Sequence, residues 1–129
     1  MNVPFVDLRV QYQSLKPEID AAIKNVIDNT AFIGGRNVEA FENAFAQKHG
    51  VKHCISCANG TDAIYIALKA LGVGHGDEVI TVANSWISTS ETITQAGAKP
   101  VFVDIDEYFH IDPAKIEKKI TKKTRAIIP

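Results

Sequence analysis

The chain has 129 residues, of which 46% are hydrophobic and 22% charged, and its formal net charge is -1. That length holds one domain with a real core and leaves no room for two ordinary ones. The near-neutral balance gives no global attraction to nucleic acid or to an anionic membrane, and no apolar run is long enough to span a bilayer.

The start, Met1-Asn2-Val3-Pro4, lacks a basic stretch followed by an apolar run, so it does not read as a signal peptide, and a cytoplasmic location is expected. After an extended segment at Phe5-Val6-Asp7-Leu8, apolar residues recur at Leu15, Ile19, Ile23, Val26 and Ile27, one face of a helix with Pro17 near its start. The glycine-containing loop Phe32-Ile33-Gly34-Gly35 ends it. A second amphipathic helix carries Val38, Phe41, Ala44 and Phe45, with Gly50 as its stop.

Strand-and-helix units follow. The first strand is predicted over His53 to Cys57, and its helix over Thr61 to Leu71 with Gly72 behind it. The second strand is Glu78 to Val82, and its helix runs from Trp86 to Ala96, closed by Gly97. The third is Pro100 to Asp104, followed by a short helix with Ile116 and Ile120 among lysines. Arg125 to Pro129 reads as a fourth strand. Short apolar strands alternating with helices imply parallel pairing through right-handed crossovers. The expected fold class is α/β, a mainly parallel sheet with flanking helices. The chain stops at an apolar strand with no closing helix, which suggests part of a longer protein; the alternative is a small domain with an edge strand there.

Ligands of open parallel sheets sit beyond the carboxyl ends of the strands. The loop Ala58-Asn59-Gly60-Thr61-Asp62-Ala63 has what an anion site needs: a glycine for close approach, unpaired first-turn amides, and the positive end of a helix dipole. The same residues also make an ordinary turn and helix cap, and residue chemistry alone leaves the two readings balanced. No P-loop or dinucleotide fingerprint is present. In the next loop Trp86, the single tryptophan, offers a ring on which a planar cofactor can stack; a core-capping tryptophan is the plainer reading. Asp104, Asp106 and Glu107 have hard-cation chemistry but read more simply as a solvated turn. His49, His53, His75 and His110 fall in unrelated elements, and no metal site is expected. Cys54 and Cys57 form a C-x-x-C. On a strand their side chains point to opposite faces, so two small buried thiols are expected rather than a metal or disulfide pair.

Taken in order, Pro4 to Leu8, Phe32 to Gly35 with Val38 and Phe41-Glu42, Asn59 to Ala63, Gly76 to Ile80, Gly97 to Asp104 and Ile120 to Ile127 resemble the DegT/DnrJ/StrS family of nucleotide-sugar aminotransferases. The resemblance covers essentially the whole chain. It implies residues 1–129 to be the N-terminal portion of an aspartate-aminotransferase-like (fold type I) large domain that uses pyridoxal 5'-phosphate. It implies that Gly60 and Thr61 contact the cofactor's phosphate, that Trp86 stacks on its pyridine ring, and that Phe32 to Gly35 lies near the active site at a homodimer interface. The implied reaction passes an amino group from an amino acid, with glutamate expected, to a nucleotide-linked keto-sugar. The family's Schiff-base lysine falls beyond Pro129, so this chain is expected to lack it and to be catalytically incompetent alone. A dehydratase branch with histidine in place of that lysine, a non-catalytic regulatory relative, and an unrelated α/β ligand-binding module are the competing readings.

Overall fold

A computed structural model describes residues 3–129. Met1 and Asn2, part of the signal-peptide reading, lie outside the described residues. The chain divides into two compact units, the first reaching to Ser56 and the second running from Cys57 to Pro129.

The first unit is helical. Helix α1 spans Leu8–Asp28 and starts where the Asp7 side chain accepts the amides of Arg9 and Val10, at 3.0 and 3.3 Å. It therefore begins well before the expected start, and Pro17 lies inside it. The helix buries no residue, so the Gln13 carbonyl that Pro17 cannot bond is left to water, which lowers the cost of an interior proline. Helix α2 spans Arg36–His49 and ends on Gly50 in the left-handed region, as its sequence predicts. Phe41, Phe45 and His49 follow one another along one face, with ring centroids 5.6 and 4.4 Å apart. That face is not buried; Ala46 is the residue α2 hides.

The strand predicted over His53 to Cys57 is not formed. Strand propensity gives an extended backbone, but a strand exists only when a neighbour takes its ladder bonds. Here the Ser56 amide instead donates to the Glu42 carboxylate at 2.7 Å. The cysteine reading falls with the strand. Cys54 is half-buried and Cys57 exposed, both free, so they are not two buried thiols on opposite faces.

The second unit is the α/β part. Helix α3 spans Gly60–Ala70, strand β1 Glu78–Val82, helix α4 Ser88–Gln95, strand β2 Lys99–Val103, the short helix α5 Pro113–Ile116, and strand β3 Thr124–Ile127. The three strands are parallel in the order β2-β1-β3, as expected for strands joined by helical crossovers. Pro100, which has no amide proton, sits on the outer strand β2, where a missing donor is tolerated. Helix α4 begins at Ser88, later than expected, which leaves Trp86 in the loop before it.

Helices α3 and α4 supply one side of the core. Leu68, Val73, Val79, Ile93, Ala96 and Ala98 form its buried cluster, with Ala126 and Ile128 packed against it. The pairing of Val79 with Ala126 puts both side chains on that face of the sheet. Gly97 makes the tight exit from α4: its φ is +93°, and a Cβ there would lie 3.3 Å from the His75 backbone nitrogen. Thr81 is fully buried, and its hydroxyl has no hydrogen-bond partner among the described residues. Among the described residues no helix is long and apolar enough to cross a membrane.

Candidate functional site

The N-termini of α3 and α4 meet beyond the carboxyl end of β1. Their link is a hydrogen bond of 2.8 Å between the hydroxyls of Thr61, in the first turn of α3, and Ser88, the first residue of α4. The two loops singled out in the sequence are thereby adjacent.

The first loop forms a helix cap and also leaves backbone donors free. Asn59 caps α3, its side-chain oxygen accepting the Asp62 amide at 2.9 Å while its carbonyl accepts the Ala63 amide at 3.1 Å. A helix start leaves four amides without helical partners. The Ala63 bond is the first of the helix itself, so of these four the Asn59 side chain takes the one at Asp62. Those of Gly60 and Thr61 have no partner among the described residues, so an acceptor just beyond the helix start meets two free donors and the positive dipole end.

Gly60 sharpens the case. Its φ lies outside the left-handed region, and a Cβ added to it would meet nothing within 4 Å. Neither backbone strain nor close packing calls for glycine here. Its missing side chain leaves the space at the start of α3 open. An anionic group such as a phosphate fits that seat.

Trp86 is 78% exposed, so it does not cap the core. The segment carrying it is tied down on both sides, by the Ser85–Thr89 hydroxyl pair at 2.8 Å and by the Ser88–Thr61 pair. An indole held out on an anchored loop offers an open face on which a flat ring can stack. Sequence reasoning misses Ser85, Ser88 and Thr89. Their signal is present in Ser85-Trp86-Ile87-Ser88-Thr89-Ser90, where hydroxyls recur at helical spacing on the side facing α3.

The acidic loop after β2 builds a turn. Asp106 accepts the amides of Tyr108 and His110 through one oxygen, at 2.8 and 3.0 Å. The Asp104 carboxyl is held below its ordinary range, first by the Ile105 amide and then by the Lys115 ammonium. Among the described residues no three acids, histidines or cysteines are arranged to hold a metal ion. In the first unit, Phe32 and Ile33 are exposed, and Gly34 and Gly35 both adopt positive φ before α2. An apolar groove lined by Ile23, Val26, Ile27 and Phe32 lies beside that loop.

A model of the DegT/DnrJ/EryC1/StrS aminotransferase family matches residues 13–129. A pleiotropic regulatory protein of Geobacillus stearothermophilus is 53% identical, over 100% of this chain and 35% of its own length. UDP-2-acetamido-2-deoxy-3-oxo-D-glucuronate aminotransferase of Pseudomonas aeruginosa is 48% identical, over 98% of this chain and 36% of its own. The solved structure of NtdA from Bacillus subtilis with bound cofactor PMP superposes with a TM-score of 0.92 at 36% identity, covering 98% of this chain and 29% of that one. The chain thus spans about a third of the length of the curated relatives it matches.

Proposed function

This chain belongs to the DegT/DnrJ/EryC1/StrS aminotransferase family, and we propose that the whole protein is a pyridoxal 5'-phosphate-dependent aminotransferase. In this reading an amino group passes from an amino acid, glutamate first among the candidates, to a keto-sugar carried on a nucleotide diphosphate. The observation that carries the reading is the pair of free amides at Gly60 and Thr61, with open ground before Gly60 and a bond from Thr61 to the loop that presents Trp86. The Pseudomonas relative supports the substrate class by its name. The Bacillus structure supports the cofactor, since PMP is the amino form of the same compound.

Each residue then has a physical role. The Gly60 and Thr61 amides and the Thr61 hydroxyl donate to the phosphate, two charges spread over three oxygens. Trp86 covers one face of the pyridine ring and keeps water from it. When bound, pyridoxal phosphate supplies an aldehyde that takes up an amino group and a ring that withdraws electrons from the reacting carbon. The amine that holds the reactive end of the cofactor we place in the part of the whole protein outside these 129 residues. Pairing of two copies is favoured by the large apolar side chains that the first unit leaves exposed, among them Phe32, Ile33, Phe41 and Phe45.

The test is optical. Adding pyridoxal phosphate to the full-length protein is expected to shift the cofactor's absorption toward the visible, and subsequent glutamate to reverse the shift. No change in either step overturns the enzyme reading. Binding without response to glutamate and to a nucleotide keto-sugar supports the regulatory role that the Geobacillus relative's name carries. A histidine in place of the central lysine beyond Pro129 redirects the reading to sugar dehydration. Trp86→Ala is expected to weaken cofactor affinity about fivefold, the loss of roughly 1 kcal/mol of ring stacking, measured by fluorescence titration. Unchanged affinity removes Trp86 from the site.

A further inference from the structure

We infer that Ser88 is a positioning residue for the phosphate seat, aiming the Thr61 hydroxyl proton at the cofactor's phosphate. The inference rests on the proposed cofactor reading. Ser88 is 5% exposed and opens α4, while its hydroxyl lies 2.8 Å from that of Thr61 on a different helix. In a hydroxyl pair either oxygen can donate. Left alone, the pair has two orientations: Thr61 donating to Ser88, or the reverse.

A phosphate at the N-terminus of α3 breaks that symmetry. Its oxygens are acceptors only, so the favourable chain runs from the Ser88 proton to Thr61 Oγ1, and from the Thr61 proton to phosphate. Each link polarises the next, which strengthens the outer bond. Without Ser88 the Thr61 hydroxyl rotates freely and must be ordered when the phosphate binds. Ser88 is itself held in place. It lies in the first turn of α4, and its carbonyl accepts the Thr92 hydroxyl at 2.8 Å, with Thr92 fully buried. The same residue closes one side of the Trp86 segment, whose other side is closed by Ser85 and Thr89. Ser88 thus couples the seat for the phosphate to the platform for the ring without touching the cofactor.

The experiment uses the full-length protein and compares pyridoxal 5'-phosphate with pyridoxal, which lacks the phosphate, by equilibrium dialysis. Ser88→Ala is expected to weaken pyridoxal phosphate about five- to tenfold, the worth of one ordinary hydrogen bond, and to weaken pyridoxal much less. In a Thr61→Val background the same substitution is expected to add nothing, since Ser88 acts through that hydroxyl. Ser88→Thr, which restores a hydroxyl, is expected to recover most of the affinity. The phosphorus-31 shift of the bound cofactor is expected to move in Ser88→Ala and to return in Ser88→Thr. Should Ser88→Ala not fold, Ser88→Cys, close in size and a weak donor, is read in the same way. Equal losses for pyridoxal and its phosphate, or additive losses in the Thr61→Val background, overturn the inference and leave Ser88 a loop anchor. Failure of the parent protein to bind pyridoxal phosphate at all sinks the cofactor reading instead.

Discussion

Gly60→Asp in the full-length protein is expected to cut affinity for pyridoxal 5'-phosphate about a hundredfold while leaving the apo fold at least as stable as before. The two halves of that result come from opposite effects of one charge. At the first position of α3 a carboxylate meets the positive end of the helix dipole, which stabilises a helix by about 0.3–1 kcal/mol. Removing a helical glycine adds up to about 1 kcal/mol. Nothing stands within 4 Å of the new Cβ, so no packing cost opposes these gains. For the phosphate the change is adverse twice over. The carboxylate occupies the open space at the start of α3, and it repels a dianion at a few ångströms. With an effective dielectric constant of about 20, a charge pair 4 Å apart interacts by about 4 kcal/mol. Solvent screening at this open site reduces that to about 2–3 kcal/mol, or roughly a hundredfold. Gly60→Ala separates size from charge, with an expected loss of about fivefold or less. Fluorescence titration reads affinity, and urea unfolding of the apo protein reads stability. If the loop were only a helix cap, both variants would bind the cofactor like the parent.

Much of this is legible in the sequence, and what is not has definable causes. Strands β1, β2 and β3 announce themselves as short apolar runs, the first two behind glycine-marked turns, and they form within a residue or two of the expected places. His53 to Cys57 has the same composition and forms no strand, because pairing is a property of two segments and only one of them lies in that stretch. The start of α1 is masked by Pro17, a strong local signal that a solvated helix overrides once Asp7 has capped it. The sequence puts Trp86 at a helix start, whereas α4 waits for Ser88. Nothing at Ile87 caps the helix through its side chain, so no residue type marks the boundary. The proposed phosphate seat is half legible. Asn59-Gly60-Thr61 names the elements, but the choice between cap and seat depends on which amides the cap consumes, and that is geometry. The Thr61–Ser88 bond joins residues 27 apart in sequence, a separation at which no local pattern speaks.

Ile93→Ala is expected to destabilise the full-length protein by about 2–5 kcal/mol, lowering its urea midpoint without changing how cofactor contacts are made. Ile93 is 0% exposed and lies on α4 inside the cluster that includes Leu68 and Val79. Truncation removes its buried methyl and methylene groups and leaves a cavity between helix and sheet, and both terms act together. Because α4 also carries Ser88 at its start, loosening the helix should weaken cofactor binding only in proportion to the unfolded fraction, and saturating pyridoxal phosphate should restore part of the lost midpoint by mass action. Thr81→Val, in the neighbouring strand β1, has the opposite expected sign. The threonine hydroxyl is buried with no partner among the described residues, and valine of nearly the same shape removes that polar atom, for an expected gain of about 1 kcal/mol or more. The pair distinguishes two ways in which the sheet's helix-covered core can fail. A loss at Ile93 with a gain at Thr81 means the core is limited by packing and carries an unmet polar group. A loss at both positions means that the Thr81 hydroxyl has a hydrogen-bond partner in the whole protein, supplied by residues outside these 129.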